Sequence, residues 1–286
     1  MKQITITKYL SSVLFFLVFS SLVYGDVCPA NQYKDRLAKL GFDQVSSVEI
    51  AANELIKLAS DMNDNCKEEL LYTFRKYYYK ALESYDRKSD VGNWNYPISD
   101  SKKLKFNSSI SKVGWTLKES EGIYYIGESG EWFQKKFKTI FTESYSKYLS
   151  LRLKEIKEGF SEDAGLLISW EQLRKRIVLW EEFLKDHPNF KENPEIRDYL
   201  NIYIRTFLTG MDNSRIYDSN TKKLRTEVKA AFEKYIKENK KSAYYTLVKD
   251  YYEMLKNNKF IVSEDSNEYL KKKGYETMLG KQPPTY

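Results

Sequence analysis

Apolar residues recur at three- and four-residue intervals along most of this 286-residue chain, the period of helices with one buried face. Tyr33, Leu37 and Leu40 mark a short first helix. Ser46 followed by Glu49 forms a capping box that opens a second, faced by Val48, Ala51, Leu55, Ala59 and Met62. A third begins near Asn65 and presents Leu70, Phe74, Tyr77, Ala81 and Tyr85. The period then fails. Gly92, Pro97 and a Ser/Asn/Lys-rich stretch to Ser111 are expected to break any helix. Val113, Trp115 and Leu117 alternate with Gly114, Thr116 and Lys118, and Ser120-Glu121-Gly122 supplies a turn before Ile123-Tyr124-Tyr125-Ile126. That pattern predicts a β-hairpin. A lone hairpin is marginal in water, so it should pack on a helix or pair with a strand near residues 104–106.

From Gly130 the helical spacing returns through Trp132 or Phe133, Phe137, Ile140, Phe141, Tyr145 and Tyr148, and continues past Ile156 as one long helix. Gly159 to Gly165 is a loop. Ser169 with Gln172 is a second capping box, opening a helix faced by Leu173, Ile177, Trp180 and Leu184 that ends at His187-Pro188-Asn189. Asn193 should cap the next, with Pro194 in its first turn and Gly210 at its end. A second pair is predicted over residues 221–239 and 242–256, and Ser263 caps a last short helix holding Tyr269 and Leu270.

These two pairs are copies of each other. Trp180-Glu181-Glu182-Phe183-Leu184-Lys185-Asp186-His187 returns 52 positions later as Phe232-Glu233-Lys234-Tyr235-Ile236-Lys237-Glu238-Asn239. In the same register Ile196-Arg197-Asp198-Tyr199 returns as Val248-Lys249-Asp250-Tyr251. Self-similarity at a fixed offset is the mark of stacked supersecondary units. Residues 169–257 resemble the tetratricopeptide-type helical hairpins of bacterial envelope proteins, on Trp180, Phe183, Leu184, Pro188, Asn189 and Tyr199 and on Phe232, Tyr235, Ile236, Ser242 and Tyr251. The offset exceeds that family's usual ~34 residues, so the resemblance is to a hairpin pair and not to a regular array. It implies a scaffold or binding role and no particular ligand.

The first 25 residues carry Lys2 and Lys8, an apolar run from Leu10 to Val23, and Val23-Tyr24-Gly25 before Asp26, the pattern of a cleaved secretory signal. Fourteen apolar residues fall short of the ~20 that span a bilayer. Gly25-Asp26-Val27 ahead of Cys28 does not form a lipobox. Behind an export signal, the two cysteines, Cys28 and Cys66, are expected to form a disulfide. With one histidine beside them they cannot furnish a four-ligand zinc site, so no metal and no cofactor is expected. The net charge of +7 is spread over mixed-sign helices, without the concentrated stripe of a nucleic-acid binder.

Candidate chemistry is sparse. His187 stands at a helix end where its counterpart is Asn239, which points to capping for both. Glu162 and Asp163 are the best-placed carboxylate pair; held ~5–9 Å apart, such groups cut glycosidic bonds, while next to a helix start they complement its dipole. Asp212-Asn213-Ser214 reads as turn chemistry. Trp115 and Tyr125 could form a ligand face or the packing face of the hairpin. Asn107-Ser108-Ser109 is a glycosylation acceptor that matters only in a eukaryotic secretory host. The expectation is therefore a mainly α secreted or periplasmic protein, a helical bundle and hairpin repeats with a small β-hairpin insertion. Its organisation is a signal peptide (1–25), an N-terminal helical segment (26–90), a loop and β-hairpin (91–129), a long helix and loop packing on the repeats (130–168), TPR-like hairpins (169–272) and a tail (273–286). Its expected function is non-catalytic binding of a protein or cell-envelope component. The alternatives are a glycan-directed hydrolase using Glu162 and Asp163, or a secreted effector or inhibitor.

Overall fold

The structure is a computed structural model that describes residues 27–275. The expected signal segment and most of the expected tail lie outside the described residues. The fold is mainly α, with eleven α-helices and three two-stranded sheets among the described residues. In chain order the helices are α1 (Ala30–Leu40), α2 (Val45–Ala59), α3 (Asp64–Ser89), α4 (Asp100–Ile110), α5 (Glu131–Phe137), α6 (Glu143–Glu158), α7 (Trp170–Asp186), α8 (Asn193–Thr209), α9 (Thr226–Glu238), α10 (Tyr245–Asn257) and α11 (Glu264–Lys272). The strands β1 (Trp115–Ser120) and β2 (Ile123–Glu128) form the predicted hairpin, and two shorter hairpins pair β3 (Ser161–Glu162) with β4 (Gly165–Leu166) and β5 (Gly210–Met211) with β6 (Ser214–Arg215). One core runs from Ala30 in α1 to Leu270 in α11, so the N-terminal helices and the repeats are packed together.

The disulfide is present. Cys28 and Cys66 are joined with Cα atoms 5.4 Å apart, tying the segment before α1 to the first turn of α3. Asn63 caps that turn by accepting a hydrogen bond from Cys66 N–H at 3.0 Å.

Five local expectations are corrected. The Ser46–Glu49 box is not formed, because α2 starts at Val45 and places Ser46 inside the first turn. Residues 104–106 are helical rather than extended: Ser99 caps α4 and Asp100 occupies its first turn, so a stretch with a weak apolar stripe still coils. The expected long helix from Gly130 is two. Phe141 is extended, and Thr142 accepts from Tyr145 N–H at 3.1 Å to start α6 afresh. Asn193 does not cap α8; its side-chain amide donates to the carbonyls of His187 and Pro188 and closes the turn before the helix. Helix α9 begins at Thr226 and not Thr221, because Lys222 takes a left-handed φ of 56° and Lys223 and Leu224 are held by bridges to Ile261 and Tyr217.

The 52-residue repeat is reproduced in the backbone bonding of its inter-helix turns, although α9 and α10 are each four residues shorter than α7 and α8. His187 N–H donates to Phe183, and Asn239 N–H to Tyr235, each at 2.9 Å. Phe190 to His187 and Asn193 to Phe190 are matched by Ser242 to Asn239 and Tyr245 to Ser242. The residues preceding α8 and α10, Glu192 and Tyr244, have φ,ψ of −84°, 3° and −94°, 3°. Thus α7–α8 and α9–α10 are two helical hairpins with the same turn, and α7 packs on α9.

Because consecutive helices run back and forth, their connections alternate between two ends. The longer connections gather at one end. Ser120 at the β1–β2 tip donates to Glu162 at 3.4 Å, and Asn213 N–H donates to Ala164 at 3.0 Å. Leu166 N–H donates to Ser214 Oγ at 2.9 Å. The ribbon continues through bridges between Tyr217 and Leu224 and between Lys223 and Ile261. Gly210 opens the third hairpin with φ of 76°, and a Cβ there would lie 2.8 Å from the Ser214 carbonyl, so the turn requires glycine.

Candidate functional site

The most strongly perturbed side chains lie between α3, α6, α7 and α8. Arg75 occupies the apolar stripe of α3, one turn from Leu71 and from Tyr78. Its Nε is 3.5 Å from Glu192, with both side chains nearly inaccessible at 5% and 2% exposure. It donates to the hydroxyls of Tyr148 and Tyr79 and lies 3.9 Å from Glu195. Tyr79 in turn donates to Glu128 at 3.0 Å, and Tyr199 to Glu195. A second centre adjoins it. Glu155 receives Arg152 at 3.1 Å, the Trp180 indole N–H at 2.7 Å and the Tyr203 hydroxyl at 3.0 Å. Arg176 bonds Glu158 at 3.0 Å and the Gly159 carbonyl at 2.7 Å. The guanidinium of Arg152 also lies over the Tyr199 ring, 4.6 Å from its centroid.

Burial pushes the Glu192 carboxyl up to about 7, against the pull of Arg75. Burial also works against ionisation of Glu195, but Arg75 and the Tyr199 hydroxyl outweigh it and its pKa is lowered. The two acids therefore divide the roles: Glu195 holds the negative charge, and Glu192 readily takes a proton. Such a pair resembles an acid–base couple. Access decides otherwise. The cavity beside it, bounded by Arg75, Tyr79, Glu128, Phe133 and Arg152, has a volume of about 20 Å³. That is room for about one water molecule and for no substrate. The cluster acts on the fold, joining residues far apart in sequence through buried ion pairs and hydrogen bonds, although Nε and Nη1 of Arg176 are left without a hydrogen-bond partner.

The sequence-predicted candidates lie elsewhere. Glu162 and Asp163 sit on the exposed β3–β4 turn. Glu162 accepts from Ser120, the Asp163 carbonyl accepts from the Asn213 amide, and neither residue lines a cavity described here. Asp212-Asn213-Ser214 forms the β5–β6 turn as expected. The His187 ring packs on Phe183 with centroids 4.7 Å apart, and its backbone closes α7. Trp115 and Tyr125 do not share a face: Trp115 is buried against Tyr78 and Tyr85, whereas Tyr125 stands opposite Lys118 on the outer side. Asn107 is committed structurally, its side-chain oxygen accepting from Leu117 N–H at 2.7 Å. Among the described residues no group of acidic, His and Cys side chains has the arrangement of a metal site, and no helix is long and apolar enough to cross a membrane.

No family model, curated protein or solved structure matches the chain.

Proposed function

We propose that this is an exported, non-catalytic helical-hairpin module that docks a protein partner along the end of the array where its hairpin turns meet. The observation that carries the reading is the continuous ribbon from the β1–β2 tip through Glu162, Ala164 and Asn213 to residues 260–262. In stacked helical units, connections on one face are where partners commonly dock. The charges on the ribbon are unevenly distributed. The exposed acids Glu119, Glu121, Glu162, Asp163 and Asp212 lie from the β1–β2 tip to the β5–β6 turn, the exposed cations Lys222, Lys223 and Arg225 lie beyond it, and Arg215 and Asp218 are interleaved where the two stretches meet. A surface polarised in this way selects a partner of complementary polarity and fixes its orientation. The signal-like start and the Cys28–Cys66 bridge agree with an oxidising compartment. The TPR-like assignment of the two hairpins belongs to the same proposal.

The test is co-purification of the mature chain from its producing cells. Replacing Glu162 by Gln and Asp163 and Asp212 by Asn together removes the charges but keeps the Ser120 acceptor and a residue type that tolerates the left-handed φ of 44° at position 163; it should remove a stoichiometric partner and leave the melting temperature within about 2 °C. A partner retained in full by that variant would count against the ribbon. A glycan-hydrolase reading would instead require turnover of an envelope polymer that disappears in Glu162→Gln and Asp163→Asn.

A further inference from the structure

A second concavity shares Leu149 with the small cavity beside Arg75. The break between α5 and α6 bends the chain at Phe141, and the elbow encloses an open groove of about 450 Å³. That is the size of a small-molecule site. Its walls carry two cations, Lys135 and Lys138, and no carboxylate. In a chain with 40 acidic residues the one-signed lining is a specific feature. Lys138 has no acidic side chain within ion-pair distance among the described residues. Lys135 has only Glu131, at 3.8 Å with both side chains largely exposed, a pair too weak to withhold the lysine from a ligand.

The floor is apolar. Phe141 is nearly parallel to Phe133 and to Tyr145, at 9° and 17°, with centroids 6.4 and 5.4 Å away. Leu149 completes it. Ser146 and Ser150 spend their hydroxyl hydrogens on the carbonyls of Thr142 and Ser146, so they have no O–H left to donate to an anion, and the charged donors at the groove are the two lysines.

We propose that this groove binds a small amphipathic organic anion, its carboxylate or sulfonate held by Lys135 and Lys138 and its acyl or aryl body lying on Phe141 and Leu149. The groove is separate from the ribbon, and this inference stands independently of the proposed docking function. An inorganic anion would leave the ring floor unused, and a neutral lipid would leave both lysines unused.

The probe is 8-anilinonaphthalene-1-sulfonate, titrated by fluorescence against the mature, folded chain and displaced with octanoate. Saturable one-to-one binding is expected. Lys135→Glu with Lys138→Glu should weaken it at least tenfold, whereas the control Lys102→Glu with Lys105→Glu, on exposed α4 positions, should leave it unchanged. Octanoate should displace the probe, and octanol and inorganic phosphate at equal concentration should not. Non-saturable binding, equal loss in both double variants, or displacement by phosphate alone would overturn the proposal. Tight association with anionic phospholipid vesicles, with no displacement of the probe by octanoate, would overturn it too. Unchanged circular-dichroism melts confirm that both double variants are folded before they are compared.

Discussion

Arg75 of α3 and Glu192 at the start of α8 form an ion pair at 3.5 Å across 117 residues of sequence, with almost no exposure to solvent. The pair joins the disulfide-anchored N-terminal helices to the repeat. Three phenols and a second acid surround it, so each charge is solvated by protein dipoles instead of water.

Removing Arg75 takes the cation away from both acids beside it, Glu192 and Glu195, and breaking a buried pair in this way commonly costs about 3–5 kcal/mol. Arg75→Met should therefore destabilise the protein by about that amount in urea unfolding. Exchanging Arg75 and Glu192 together for well-packed apolar residues should cost much less. Equal losses for the single and double variants would show that the charges are not acting as a pair.

The same pair makes stability depend on pH in an unusual direction. The folded-state pKa of Glu192 is raised to about 7, above the ordinary carboxylate value. The folded protein thus holds this proton more tightly than the unfolded chain does. The contribution is fully present below about pH 4.5 and is lost as pH rises through about 7. Glu195 is shifted the other way, and its contribution is lost in acid. Glu192→Gln should flatten the decline between pH 5 and 8, by about 1–3 kcal/mol. An unchanged slope in chemical denaturation across that range would contradict the assignment.

Much of the repeat is legible in the chain, whereas the cluster is not. Trp180 and Phe232, Phe183 and Tyr235, and Tyr199 and Tyr251 stand at one offset on apolar stripes, and Ser169 forms its capping box as written. These signals are local or periodic. Arg75, Arg152 and Arg176 also stand on apolar stripes, but a charge among apolar residues does not reveal which distant acid will meet it. Helix α4 is not legible because its start is set by Ser99 and Asp100 and not by a stripe. The break at Phe141–Thr142 was hidden because aromatic spacing continues through it, while the backbone restarts at the Thr142 cap.

The β1–β2 hairpin keeps both outer edges occupied. Asn107 accepts from Leu117 N–H on one edge, and Asp86 accepts from Ile126 N–H at 2.7 Å on the other. Unpaired edges template aggregation, so these side chains also guard the sheet. Asn107→Ala should lower stability by about 1–2 kcal/mol through the orphaned amide, and hydrogen exchange should accelerate at Leu117 before the rest of β1. Uniform exchange across the strand would contradict a capping role.

The disulfide closes a segment of 38 residues around α1 and α2. Loop-closure entropy for that length is worth about 4 kcal/mol as an upper figure. Cys28→Ser with Cys66→Ser should cost about 2–4 kcal/mol and loosen α1 first, read as lost protection at Tyr33 and Leu37. A melt unchanged by the double substitution would show that packing alone holds these helices.

The docking claim is tested most directly by photo-crosslinking in the producing cells. A photoreactive residue is placed singly at Glu121, Glu162 and Asp212 on the ribbon end, and at Asn189 and Lys241 in the turns of the opposite end. The account predicts one defined adduct from all three ribbon positions and none from the two turns. Adducts of equal yield from both ends, or none from the ribbon, would contradict it.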